Sequence, residues 1–259
     1  MNQPLRLLLD PPQDGATNMA ADDALMQSVA ARDAPPTLRL YRWAPPCISL
    51  GYFQPSAAVE QQNLPHSVRR EVVRRVTGGG AILHDQELTY SLTLPAGHPL
   101  AGTSPEPLYR IVHEAVILGC RLNDMLIRFR EEEPADDLPP EQARRRDSEF
   151  FCFHRLHRLD LVCQGLKVLG SAQRRTRQTV LQHGSLILVR RYHQQRCLAL
   201  SMLAGKIITW EAASDIFLQG WNARLPDWPL QPGEWTDSEL ACIWPLVAKH
   251  RGAEWRDAR

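Results

Sequence analysis

Lysine is nearly missing from this 259-residue sequence: of 30 Lys and Arg residues only Lys167, Lys206 and Lys249 are lysines, so the basicity is an arginine bias and each lysine stands out. Net charge is nearly absent too, 30 basic against 29 acidic side chains, which removes any global electrostatic case for nucleic acid or an anionic membrane. A partner must therefore be found through a local site. No apolar run approaches the roughly 20 residues that span a bilayer. The start, MNQPLRLLLDPP, has neither the basic opening nor the cleavage site of a signal peptide. A cytoplasmic location is expected. Six cysteines (Cys47, Cys120, Cys152, Cys163, Cys197, Cys242) form no C-x-x-C pair, which argues against a disulfide framework or zinc knuckle and predicts mostly reduced, buried thiols. Walker and G-x-G-x-x-G loops are also missing, as are internal repeats.

What is present reads as alternating secondary structure. TNMAADDALMQSVAARD predicts a helix capped by Thr17 or Asn18, with Leu25, Met26 and Val29 buried. Two strands broken at Pro45-Pro46 follow in TLRLYRWAPPCISLGYF, and REVVRRV continues in the same style. ELTYSLTLP alternates cleanly, with Leu88, Tyr90, Leu92 and Leu94 on one face and Thr89, Ser91 and Thr93 on the other. Ser104 and Pro105 open a long core helix carrying Leu108, Ile111, Val112, Ala115, Leu118 and Leu122. Charge blocks and prolines make 130–150 a mobile loop. RLDLVCQGLKVLGSAQ predicts a hairpin turning at Gln164-Gly165, and VLQHGSLILVRR a further strand. Residues 205–259 hold two helices; Thr236 and Glu239 form a capping box in the second, and Pro245 should kink it. Without regular βαβ alternation, the simplest assembly is a single α+β domain over 1–259, its sheet mixed and largely antiparallel.

Two features carry chemistry. Gly78, Gly79 and Gly80, in RRVTGGGAILHD, remove three side chains from a strand region, which suits either a bulge or a ligand lying against the backbone. A lone lysine beside a Gln-Gly turn, such as Lys167, is ordinarily a solvated hairpin residue.

RRVTGGGAILHDQELTYSLTLP, GLKVLGSAQRR and VLQHGSLIL together resemble the lipoate-protein ligase A and octanoyltransferase family, whose fold is similar to biotin-protein ligases. The likeness extends to NMAADDALM and LRLYRWAPPCISLGYFQ and, more weakly, to ELACIWPLVAKHRGAEW. It implies that Arg75, the glycine run and His84 wall a tunnel for a medium-length acyl chain, that Lys167 reaches the acyl carbonyl near Gly170 and Ser171, and that Gln182, His183 and Gly184 also bind substrate. An apolar slot with a cation at the reacting carbonyl is what acyl transfer needs.

The family has a ligase branch, using ATP with Mg and free lipoate, and a transferase branch, passing octanoyl from acyl carrier protein through a cysteine thioester. Cys152, in FFCFHRLHRLDLVCQGLK, resembles the nucleophile of the transferase class, and an ammonium such as Lys167 would favour its thiolate. Cys163 fits the apolar face of Leu159 and Leu161. Cys152, His154, His157 and Cys163 could instead be zinc ligands, a reading the family does not require. The short C-terminal region argues for transfer without a cofactor. By resemblance the partners are octanoyl-acyl carrier protein and lipoyl-domain proteins, namely the glycine-cleavage H protein and 2-oxoacid dehydrogenase E2, met by a monomer. ATP-dependent ligation, transfer between lipoyl domains and non-catalytic lipoyl binding remain alternatives.

Overall fold

A computed structural model describes residues 3–69, 71–134 and 150–258. In chain order the elements are β1 (Leu5–Leu9), α1 (Gly15–Ala31), β2 (Thr37–Tyr41), β3 (Cys47–Leu50), α2 (His66–Arg69), β4 (Val72–Arg74), β5 (Ile82–His84), β6 (Glu87–Pro95) and α3 (Pro105–Leu122). There follow β7 (Arg128–Phe129), β8 (Leu161–Cys163), β9 (Leu166–Arg175), β10 (Thr179–Ile187), α4 (Leu200–Ala204), α5 (Trp210–Arg224), β11 (Leu230–Pro232), α6 (Asp237–Arg251) and α7 (Ala253–Arg256). The class is α+β, as expected.

Eight strands form one sheet in the order β11-β1-β2-β6-β10-β9-β8-β7, parallel among the first three and antiparallel beyond. A second sheet, β4-β3-β5, carries the segment on either side of the glycine run. The alternation in β6 has a direct structural meaning. Leu88, Tyr90, Leu92 and Leu94 join Leu108, Val112, Phe217 and Trp221 in the main core beneath α3 and α5. On the opposite face, Ser91 donates to Asp22 of α1 at 2.8 Å and Thr89 to Glu87 at 2.6 Å, so the polar face is buried as well. Helices α3 and α5 cross at Gly119 and Gly220, where an added Cβ would lie about 2 Å from the partner's backbone oxygen. Among the described residues no helix is long and apolar enough to cross a membrane.

Several local expectations hold for stated reasons. Gln164 (φ 52°) and Gly165 (φ 73°) make a two-residue turn with both centres left-handed, matching the strand twist. Thr236 and Glu239 form the capping box of α6, and Pro245 lies within that helix, which runs on to Arg251.

Other expectations need correction. Helix α1 starts earlier than its apolar stripe suggested: Asp14 is the cap, accepting from the Thr17 N–H at 2.7 Å, in place of Thr17 or Asn18. Leu122 ends α3 largely exposed. A short strand, β11, interrupts the C-terminal helices and pairs with β1, and α7 adds a last turn. Of the expected loop at 130–150, Arg130–Glu132 is a 3-10 turn, and 135–149 lies outside the described residues.

Candidate active site

A narrow slot lies between the two sheets. Met19 of α1, Tyr41, Trp43, Ile82 and His84 meet Cys152 and the segments Gly170–Ala172 and His183–Ser185 around it, enclosing about 350 Å³ of empty space, part of it open to solvent. Its walls are largely apolar, with Tyr41, Arg75, His84 and His183 as the titratable groups among them besides Cys152.

Cys152 opens a single 3-10 turn, Cys152–His154. The chain before it is stitched to the edge of the small sheet: Ala81 N–H donates to Phe150 O at 2.9 Å, and Cys152 N–H donates to Ala81 O at 2.8 Å. Phe151 and Phe153 are buried on either side and fix the turn by packing.

Lys167, next to the hairpin turn, is buried and not solvated. Its Nζ donates to the Cys152 carbonyl at 3.0 Å and lies 4.0 Å from Cys152 Sγ. Asp160 takes the same ammonium at 2.7 Å. Burial would pull the ammonium down, yet attraction to Asp160 and then to Cys152 outweighs it, so Lys167 titrates above its ordinary value. Gly170 makes room for this: a Cβ there would stand 3.0 Å from Lys167 Nζ.

The glycine run has a packing task. Gly78, Gly79 and Gly80 do not line the slot. A Cβ on Gly80 would sit 2.6 Å from Cys152 N and 2.9 Å from Phe151 C, so its bareness admits the cysteine-bearing backbone. Gly79 has φ +97° and its carbonyl would be struck, at 1.9 Å, by any Cβ on Gly51. The Arg75 guanidinium fills the inside of the loop, donating to Gly78 O (3.0 Å), Gly80 O (2.9 Å), Ser49 O (2.8 Å) and Ser49 Oγ (2.7 Å). Among the described residues no carboxylate pairs with it, and burial lowers its pKa. Arg75 reaches the slot as well.

His84 does line the slot, stacked on Trp43 with ring centroids 3.7 Å apart. Its Nδ1–H donates to Glu87 at 2.7 Å and its Nε2 accepts from Ser49 Oγ at 2.6 Å. Burial depresses its pKa, with Glu87 opposing, so the ring is neutral near pH 7. His183 reaches Asp22 (3.1 Å) and Thr77 (2.6 Å), and Asp22 is further held by Arg39 and Tyr41. Gln182 is not at the slot. It stands behind the wall, donating to Tyr90 OH at 2.7 Å. Gly184 is bare because a Cβ would meet Ser171 Oγ at 2.3 Å.

Ser171 and Gly170 differ in what their backbones can offer. The hairpin bond from Thr176 N–H to Thr179 O sets the alternation of the β9-β10 ladder. Counting back, Gly170 exchanges bonds with Ser185, whereas Ser171, opposite Gly184, turns its N–H and C=O away from β10. Tyr109 OH accordingly donates to Ser171 O at 3.0 Å. β8 pairs no further than Leu161 with Leu169, so the Ser171 N–H faces an open edge.

The pattern of the Lipoyl protein ligase A/B catalytic domain matches residues 14–194. This chain belongs to that family. An octanoyltransferase LipM from Kyrpidia tusciae is 32% identical over 98% of both chains, and one from Bacillus subtilis is 31% identical over 94% of both. Among solved structures, a T. acidophilum protein described as a lipoate protein ligase with bound lipoic acid superposes with TM-score 0.74 at 20% identity, covering 98% of this chain and 99% of that one. A lipoate-protein ligase A bound with ATP gives the same TM-score and identity, covering 98% of each chain. At such identity the two structures establish likeness of fold.

Some site residues of this family member were not read from the sequence. Asp160 is one; its signal was a carboxylate inside the apolar run Leu159-Asp160-Leu161. His113 is another, fully buried in α3, donating through Nδ1 to Leu159 O (2.6 Å) and accepting at Nε2 from Ser171 Oγ (2.7 Å). Burial takes its pKa down to about 4. Helical periodicity marks its face but not its partner. Cys152, His154, His157 and Cys163 do not gather: among the described residues no three His, Cys, Asp or Glu side chains form a metal-ligand set.

Proposed function

We propose that this enzyme transfers an octanoyl group from acyl carrier protein to the lysine of a lipoyl domain, through a thioester on Cys152. The chain is an acyltransferase of its family, and its octanoyltransferase relatives span nearly its whole length. The observation that carries the cysteine step is the pairing of Cys152 Sγ with the buried Lys167 ammonium, 4.0 Å away, on the wall of an apolar slot.

The Cys152 thiolate attacks the carbonyl carbon of the octanoyl thioester. The carrier's C–S bond breaks, and its sulfur leaves and takes up a proton. Lys167 and the Ser171 N–H stabilise the developing oxyanion, while the alkyl chain lies against Met19, Trp43 and Ile82. In the second half, the ε-amine of the lipoyl-domain lysine attacks the same carbonyl, an amide forms and Cys152 is released. Glycine-cleavage H protein and dehydrogenase E2 are the acceptor classes. No cofactor enters either step, and we assign the reaction to a cytoplasmic monomer.

The test is transfer without nucleotide. Enzyme, octanoyl-acyl carrier protein and an unmodified lipoyl domain should yield an octanoylated lysine with no ATP present. A requirement for ATP and free lipoate, with release of AMP, would make it a ligase. Transfer only from an already octanoylated lipoyl protein would make it an amidotransferase.

A further inference from the structure

We propose that Asp160 is the positioning residue of this reaction: its carboxylate holds Lys167 as a fixed ammonium beside Cys152, so that Lys167 acts as a cation and not as a proton acceptor. The inference rests on the acyl-enzyme reading above and concerns which group does what within it.

Geometry carries it. Lys167 and Asp160 are both nearly fully buried and meet at 2.7 Å, closer than either contact of Lys167 with Cys152. Asp160 is itself aimed. The same Oδ2 accepts the His157 N–H at 2.6 Å, and its backbone carbonyl accepts the Arg130 N–H at 2.8 Å. Burial is the largest influence on this lysine and acts downward, and the Asp160 carboxylate is the first of the groups that oppose it. The other groups facing it do not replace Asp160. Arg155 repels the ammonium, and Phe153 offers only its ring face at 5.6 Å. The His113 ring, neutral above about pH 4, already spends both nitrogens on Leu159 and Ser171. Cys152 attracts the ammonium only as a thiolate, which disappears once sulfur is acylated. Through the acyl-enzyme stage, therefore, Asp160 is the anion that keeps Lys167 charged while the second oxyanion forms.

Lysine scarcity makes this directly observable. In protein labelled with carbon-13 at lysine Cε, only Lys167, Lys206 and Lys249 give signals, and single Lys206→Arg and Lys249→Arg variants assign them. Lys167 should titrate at higher pH in the native protein than in Asp160→Asn, while the Lys206 and Lys249 signals do not move between the two proteins. The variant keeps the side-chain shape and an oxygen for the His157 N–H, and its melting curve reports whether the fold is intact. In parallel, octanoylation of Cys152 by octanoyl-acyl carrier protein, followed against pH by mass spectrometry, should slow about tenfold or more in Asp160→Asn and lose its alkaline limb at lower pH. An unmoved Lys167 signal in the variant, or a loss of rate uniform at every pH, overturns the role of Asp160. Failure of native protein to form any Cys152 adduct would instead overturn the acyl-enzyme reading, while the lysine titration still decides whether Asp160 governs Lys167.

Discussion

Replacing Gly80 by alanine should damage the enzyme far more than replacing Gly78, although the two are neighbours in one glycine run. At Gly80 the new methyl would stand 2.6 Å from Cys152 N, 2.9 Å from Cys152 Cα and 2.9 Å from Phe151 C, all backbone atoms that cannot rotate away. Relief requires the 150–152 segment to move off the sheet edge by several tenths of an ångström or more, which strains the two bonds at Ala81. Overpacking of this kind costs about 1–3 kcal/mol. The larger effect is on rate, since a reacting group displaced by about 1 Å loses on the order of a hundredfold. At Gly78 the nearest atom to an added Cβ is on the exposed Phe53 ring at 3.9 Å, so Gly78→Ala should stay within about 0.5 kcal/mol of native. Thermal unfolding gives the first quantity, and the rate of Cys152 octanoylation the second. Equal impairment of both variants, with acyl-chain length preference altered in each, would mean that the glycines wall the chain after all.

Two pH effects follow from buried groups. His113 has its folded pKa pushed down from 6.5 to about 4, so the unfolded chain takes up a proton first as pH falls. Stability should therefore drop by about 3 kcal/mol between pH 6.5 and 4 from this group alone, and denaturant melts of His113→Gln should lack that part of the slope. Asp23 acts in the same direction at lower pH. Despite burial, His250 and Lys249 hold it down to about 2, so it stabilises the fold above its unfolded value of 3.8 and ceases to as pH falls through 2. Asp23→Asn should cost about 2 kcal/mol at pH 7, a deficit that closes in acid.

Local chemistry was legible in the sequence wherever a feature is decided by adjacent residues. The Gln164-Gly165 turn, the Thr236-Glu239 box and the alternation of β6 all depend on neighbours within a few positions. Asp14 was missed as a cap because the first residues of α1, Gly15 and Ala16, carry no apolar stripe. Less accessible were features whose partner lies far along the chain. The space vacated by Gly80 is taken by Phe151 and Cys152, some seventy residues later, a packing partner that the run itself does not reveal. His113 reads as one more member of a helical face until Ser171 and Leu159 are brought against it. Cys152 and Lys167 were picked out through a family likeness and the rarity of lysine, and their approach to 4.0 Å is what physical proximity adds.

The most direct test of the account is the state of Cys152 during turnover. Enzyme mixed with octanoyl-acyl carrier protein and quenched should carry one octanoyl group, mapped by peptide mass spectrometry to Cys152 and labile to hydroxylamine. Adding an unmodified lipoyl domain to the isolated adduct, without ATP, should move the group to the acceptor lysine. An unmodified Cys152 in an enzyme that still octanoylates the lipoyl domain, or full activity in Cys152→Ser, would contradict it.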